Sequence, residues 1–432
     1  MSKIKIGTLK NGMVVYAQSD YSRSSHLWSI GVRAGSLHDP PGKIGLAHHT
    51  EHVICAQSNM YTSEEMDLLC ERLTGGPEGN IYIATGREST CYGPADFLPM
   101  RRKMEKLFGA FAGMLRDQII TPESFAAEAA AIHNEFYLRG YHDMDSTIYD
   151  MVHRHLYTTN PARNSVLGSV NDVRRITIKD TINFAKTYYV PSNMFLVLLG
   201  PRFKEAMNIA QKYFGDWNPP TIPMVPWIRF KDSIYQDDIF PGGLGKSSVH
   251  LGRRGVKQHY VAVAFRTEPS DTKDGAAIEV LGRLLAHRMK RRLRDANTDF
   301  EKGVYRFLHY TERTFMHGVI YFYFASVSGD FATYGEQVIQ EECEKVKQKL
   351  VPAKEMSAFV ESLQDQYKSM MTRCPAELLE GILTSASNGD DELIGLYDYG
   401  DSLKKLTRQK LRAVANKYFT ENYLTVRICP LN

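Results

Sequence analysis

Five consecutive residues, His48-His49-Thr50-Glu51-His52, bring together side chains able to hold and use a divalent metal. They lie in GLAHHTEHV, whose apolar periodicity reads as a helix. One turn apart on one helical face, the imidazoles of His48 and His52 can bind a single Zn²⁺ at about 2.0–2.1 Å. Glu51 stands three residues after His48 and points to the same side, so its carboxylate can reach a zinc-bound water without ligating the ion. Zinc lowers the pKa of that water to about 7, and Glu51 can take its proton during attack on a carbonyl. With 14 His in the chain, an H-x-x-E-H arrangement is expected by chance only about 0.03 times, so the helix is read as chemical rather than merely polar.

A catalytic zinc needs a third protein ligand and one open position. The best source is SFAAEAAAIHNEFYLRG, an Ala-rich stretch introduced by Thr121-Pro122-Glu123 and ended by Gly140. Glu128 and Glu135, two turns apart, share a face of that helix. From the residues alone, either can ligate while the other orients His48 or His52 as an outer acceptor.

These features resemble the pitrilysin/insulinase zinc peptidases, in particular the half-length members similar to the processing peptidases. The resemblance runs through LKNG near the start, GLAHHTEH, the E-x6-E pair, two related halves and the length. It implies one Zn²⁺ per chain on His48, His52 and Glu135, with Glu51 as the catalytic base and Glu128 in support. GGPEGNIYIATGRESTCY is similar to the family's edge strand for peptide, with Tyr82 and Ile83 where Asn-Ala is usual. His49 and Thr50 likewise replace apolar residues. LRDANTDFEKGVYRF is similar to a stretch in which an Arg and a Tyr grip substrate and stabilise the oxyanion, which assigns those roles to Arg294 and Tyr305. The implied activity is a zinc-dependent metalloendopeptidase acting on short or unfolded peptides, as a homodimer or as a heterodimer with a related subunit. A non-catalytic structural or peptide-binding subunit is the alternative, and a zinc hydrolase of non-peptide bonds is a further one.

The elements that must position these residues come in two similar sets. DVRRITIKDTINFAKTYY matches SLKKLTRQKLRAVANKYF, with Thr177 and Thr407 230 residues apart; PSNMFLVLLGP then meets TENYLTVRICP, and HLWSIGVR matches HYVAVAFR. The pattern predicts an α+β protein of two similar domains from an internal duplication, each a mainly antiparallel sheet with helices packed on one side. Domains are expected over 1–216, catalytic and zinc-binding, and 243–432, lacking metal. The Pro-rich 217–242 joins them. The duplication places Leu281, Leu284 and Leu285 opposite His48, Glu51 and His52, so the second copy of the motif helix should be plain core.

The 432 residues are 43% hydrophobic with a net charge of +4, which points to no polyanionic partner. The longest apolar run, Met194 to Leu199, is far too short to span a bilayer. The chain start alternates around Asn11-Gly12 and reads as a β-hairpin. Six Cys without a CxxC pair read as reduced thiols, hence a cytoplasmic protein with neither nucleic acid nor membrane among its partners. PGGLGKSS lacks the first Gly of a phosphate loop, and the basic run HRMKRRLR reads as a solvated helical face.

Overall fold

The alternating residues at the chain start pair as β1 (Lys5–Thr8) and β2 (Val14–Gln18), antiparallel across a turn in which Gly12 takes φ +92. The computed structural model describes residues 3–19, 26–56, 58, 60–75, 80–95, 101–217, 247–268, 273–296, 304–313 and 318–431. All but Trp217 of the Pro-rich 217–242 segment, and all but its last two residues of PGGLGKSS, lie outside the described residues.

After the hairpin come β3 (Leu27–Val32), α1 (Leu46–Ala56), α2 (Ser63–Thr74), β4 (Ile81–Thr85) and β5 (Thr90–Pro94). Helices α3 (Arg101–Arg116), α4 (Pro122–His142), α5 (Met144–Leu156), α6 (Val170–Val173) and α7 (Ile178–Tyr188) follow, then β6 (Met194–Leu199) and α8 (Phe203–Phe214). The second half runs β7 (Ser247–Arg253), β8 (His259–Thr267), α9 (Gly275–Asp295), β9 (Val304–Arg313) and β10 (Gly318–Ser326). It ends with α10 (Gly329–Gln348), α11 (Ala353–Thr372), α12 (Pro375–Ser387), α13 (Ile394–Lys404), α14 (Arg408–Tyr418) and β11 (Tyr423–Pro430).

The sheets are β1-β2-β6-β3-β5-β4 and β7-β11-β8-β10-β9. In each, one pair is parallel (β2 with β6, β7 with β11) and the remaining pairs are antiparallel. The α+β duplication read from the sequence is therefore present in the topology. Its best-matched segment is matched in detail too. Thr177 caps α7 by accepting from the Asp180 N–H, and Thr407 caps α14 by accepting from the Lys410 N–H.

By compactness the chain forms two interleaved units. One comprises Met1–Asp143, Asn164–Trp227 and Ser369–Leu396; the other comprises Met144–Arg163, Ile228–Lys368 and Tyr397–Asn432. The linear reading put the break at 217–242. The units differ from it because each half lends a helix to the other half's sheet: α12 packs on β3 and β6, and α5 packs on β8 and β11. This explains the apolar run at β6. Leu196 and Leu198 join Trp28, Ile30 and Val32 in the main core, while Phe195, Val197 and Leu199 are buried outside it, on the strands that α12 covers. Helices thus cover the central strands from both sides.

In the second unit, Leu281, Leu284 and Leu285 are no more than 1% exposed and belong to the hydrophobic core, as the duplication required. The basic run on α9 is partly absorbed by carboxylates. Arg288 makes two hydrogen bonds to Glu355, at 2.7 and 2.5 Å, and Arg292 reaches Glu341 at 2.7 Å and the buried Glu342 at 2.9 Å.

Candidate metal centre

Helix α1 is buried along most of its length, and its start is fixed from outside. Asp39 accepts from the N–H groups of Gly45 and Ala47, both at 2.7 Å, supplying partners for donors that a helix start leaves unmatched. Gly45 has φ +98, and a Cβ there would lie 2.8 Å from the Leu167 carbonyl oxygen, so only glycine allows this approach. Thr50 turns its hydroxyl back to the Leu46 carbonyl at 2.7 Å, which accommodates a polar residue at a fully buried position. His49 is also buried, against Phe125 on α4 with ring centroids 4.7 Å apart. Burial, and then the neighbouring His52, lower its pKa to about 4, so its ring is neutral.

On the face toward α4, the rings of His48 and His52 lie edge to face with centroids 4.7 Å apart. Glu135 Oε2 is 3.4 Å from His48 Nε2 and 3.3 Å from His52 Nε2. Those gaps are long for charge-assisted hydrogen bonds. They match the edge of a coordination tetrahedron, about 3.3 Å for bonds of 2.0–2.1 Å. Among the described residues, these three are the one group of His, Cys, Asp and Glu whose ligand atoms all lie within 4.8 Å of one another. The donor set, two imidazole nitrogens and a carboxylate oxygen, fits Zn²⁺.

Glu128 takes a different place. Its Oε2 is 3.1 Å from His52 Nδ1, the nitrogen on the far side of the ring from Glu135. A carboxylate there holds the Nδ1 proton and leaves the Nε2 lone pair directed inward. Burial works against a charged His52, but Glu128 and Glu135 outweigh it and raise the pKa of the metal-free ring to about 10. A divalent ion held at Nε2 would take the place of the second ring proton.

Glu51, 7% exposed, follows His48 on the same helix, and its Oε2 accepts a 2.5 Å hydrogen bond from the Thr85 hydroxyl at the end of β4. Among the described residues β4 is an outer strand, paired with β5 alone. Tyr82 on it is 53% exposed, while Ile83 packs against the core.

The structure thus gathers His48, Glu51, His52, Glu128 and Glu135 in one place. Arg294 and Tyr305 belong to the other unit. Arg294 is in the last turn of α9 with its side chain 76% exposed; Tyr305 is on β9 and its side chain lies outside the described residues. Sequence reasoning missed the parts played by Asp39 and Thr85. Asp39 precedes the helix by seven residues, too far for a linear capping rule, and Thr85 lies in the stretch read only as an edge strand for peptide.

Comparison with known proteins gives the class. The family profile described as "Insulinase (Peptidase family M16)" matches residues 13–170, and "Peptidase M16 inactive domain" matches residues 175–363. The chain belongs to this M16 peptidase family, as its motifs had implied. It is similar to the zinc protease PqqE of Helicobacter pylori, 21% identical over 428 residues covering 97% of this chain and 90% of that protein. To the mitochondrial-processing peptidase subunit beta of Neurospora crassa it is 26% identical over 228 residues, spanning 51% of this chain and 45% of that one. In fold it matches a solved protease from Helicobacter pylori with a TM-score of 0.87 at 20% identity, over 100% of both chains. The five metal-centre residues fall inside the first profile match, and the leucines standing opposite the motif fall inside the one described as inactive.

Proposed function

We propose that the chain is a zinc-dependent metalloendopeptidase of short or unfolded peptides. The observation that carries this reading is the single oxygen of Glu135 placed between two imidazole nitrogens, with Glu51 one residue before His52. His48, His52 and Glu135 would hold one Zn²⁺, which supplies Lewis-acid chemistry by acidifying water and polarising a carbonyl. Glu51 takes the proton of the attacking water and returns it to the leaving amine. Glu128 fixes the tautomer of His52. The outer edge of β4, unpaired among the described residues, receives peptide as an added strand, a mode that tolerates varied side chains. Arg294 would grip the substrate backbone and Tyr305 would stabilise the oxyanion, roles that rest on the family resemblance.

The two names that match most of this reading, a zinc protease and a processing peptidase subunit, support both the chemistry and a paired assembly. A homodimer is the expected form, running on a sizing column near twice 49.1 kDa; elution at the monomer mass would direct the search to a related partner. The six cysteines are free thiols, which supports a cytoplasmic setting. Among the described residues no helix is long and apolar enough to cross a membrane.

The deciding experiment compares the parent chain with Glu51→Gln on a pool of unstructured peptides, with zinc measured in both. The expected result is hydrolysis by the parent, equal zinc, and a rate lower by about 10²-fold or more in the variant. Full-rate hydrolysis by the variant removes the mechanism. No hydrolysis by either form favours the structural-subunit alternative.

A further inference from the structure

The hydroxyl of Thr85 touches neither of the imidazoles nor Glu135 in any contact described above, yet its bond to Glu51 is shorter than the contacts of Glu128 and Glu135 with the imidazoles. Its 2.5 Å hydrogen bond to Glu51 Oε2 has the length of charge-assisted O–H···O⁻ bonds, and Glu51 is buried where the bond forms. A threonine hydroxyl has one proton, so donation to Glu51 is Thr85's whole donor capacity.

The support behind Thr85 is rigid. It pairs with Thr90 across the end of the β4–β5 ladder, and the following turn is closed by the Gly86 N–H donating to Ser89 O at 2.8 Å. The turn is tied in turn to the segment before α1, through Ser36 N–H to Gly86 O at 3.1 Å and Leu37 N–H to Arg87 O at 3.0 Å. Thr90, fully buried, stands 3.3 Å from the Thr85 hydroxyl and directs its own hydroxyl to Ala34 O at 2.9 Å. A β-branched side chain in a strand has few χ1 choices, so the donor's direction is fixed before any substrate arrives.

We propose that Thr85 is a positioning residue, holding one oxygen of the Glu51 carboxylate so that the other is aimed at the attacking water. This rests on the reading of Glu51 as the base. A flexible Glu side chain has three rotatable bonds, and proton transfer needs its oxygen within hydrogen-bond reach of the water. One short bond from a strand removes most of that freedom without adding a second negative or metal-binding group.

The test uses the full chain and the substitutions Thr85→Val, which keeps the shape, and Thr85→Ser, which keeps the hydroxyl. Thr85→Val is expected to lower kcat by about ten-fold or more with KM and bound zinc unchanged, and Thr85→Ser to restore most of the loss. In a Glu51→Gln background, Thr85→Val should have no further effect, because its target is gone. A crystal structure of Thr85→Val should show the Glu51 carboxylate turned away from its parental direction. Three outcomes overturn the proposal: parental kcat in Thr85→Val, an equal loss in both variants, or an unmoved Glu51 in the crystal. If Glu51→Gln itself hydrolyses at full rate, the base assignment has failed separately, and the crystal structure still decides whether Thr85 orients Glu51.

Discussion

Glu128 and Glu135 are the same kind of residue on the same face of the same helix, and only their partners tell them apart. Glu135 reaches both Nε2 atoms, whereas Glu128 reaches one Nδ1. Glu135→Gln is therefore expected to lose zinc by at least about 100-fold in affinity, measured by competition with a chelating dye. Glu128→Gln should keep most of its zinc and fall within the 10- to 100-fold usual for an outer partner. Equal losses would mean that both carboxylates ligate. The H-x-x-E-H spacing was legible because it is local and helical. The choice between the two glutamates was not, because two turns of helix bring both to one face and tertiary contact alone separates them. Asp39 and Thr85 escaped for the same reason, since each reaches α1 from a segment outside it.

At the scale of elements, the duplication repeats architecture while exchanging the charges. Lys43, just before α1, pairs with Asp180 on α7; in the second half Asp274, just before α9, pairs with Lys410 on α14, at 2.5 Å. Asp180 and Lys410 are the matched positions of the repeat, 230 residues apart. Asp274 also receives Lys417 at 2.9 Å and the Tyr418 hydroxyl at 2.8 Å. Burial alone would raise its pKa, but hydrogen bonds from Lys410, Lys417 and Tyr418 outweigh burial and hold it at about 2. A carboxylate with a depressed folded pKa contributes stability above its unfolded value, about 3.9, and loses it as pH falls toward the folded value. Asp274→Asn should cost about 2 kcal/mol at pH 7 in urea unfolding, and the difference from the parent should shrink between about pH 4 and pH 2. A difference that stays constant across that range would show that the charge is not what Asp274 contributes.

The repeat also accounts for two arginines. Arg33 and Arg266, aligned in the sequence, each donate from Nε to a carbonyl in the last turn of the exchanged helix: Ala386 on α12 at 2.9 Å, and Leu156 on α5 at 2.6 Å. Each guanidinium lies over an aromatic ring, Phe195 at 5.2 Å and Tyr157 at 5.4 Å. Arg33 further binds Asp391, which also accepts from the Tyr16 hydroxyl at 3.0 Å. Arg33→Met is expected to lose about 2–3 kcal/mol of stability, read from urea unfolding, because a buried charged donor and its acceptors are parted. Loss below about 0.5 kcal/mol would show that packing alone retains α12. The sequence showed the two strands and their arginines, but the exchanges join residues 353 and 110 positions apart, which no local pattern encodes.

Taken whole, the molecule is a repeat in which each half's sheet is packed by a helix from the other half. Residues 1–217 alone would carry Leu27, Phe195, Val197 and Leu199 without the helix that covers those strands. Expressed by itself, that half should aggregate or bind a hydrophobic dye, and supplying residues 369–396 as a second polypeptide should improve its solubility. A soluble, dye-free, zinc-binding 1–217 would contradict this dependence. The motif was legible in the first half by itself, while the packing of a distant segment on that half's sheet became visible only in the folded chain.

The exchanged helices also impose an order on biosynthesis. When residue 217 leaves the ribosome, the strands of the first sheet are complete in sequence, but α12 and its anchor at Asp391 still await translation. At ordinary elongation rates of 5–20 residues per second, that delay is roughly ten to thirty seconds. Throughout it the nascent first sheet lacks its covering helix and presents an oily face, a natural ligand for a holdase.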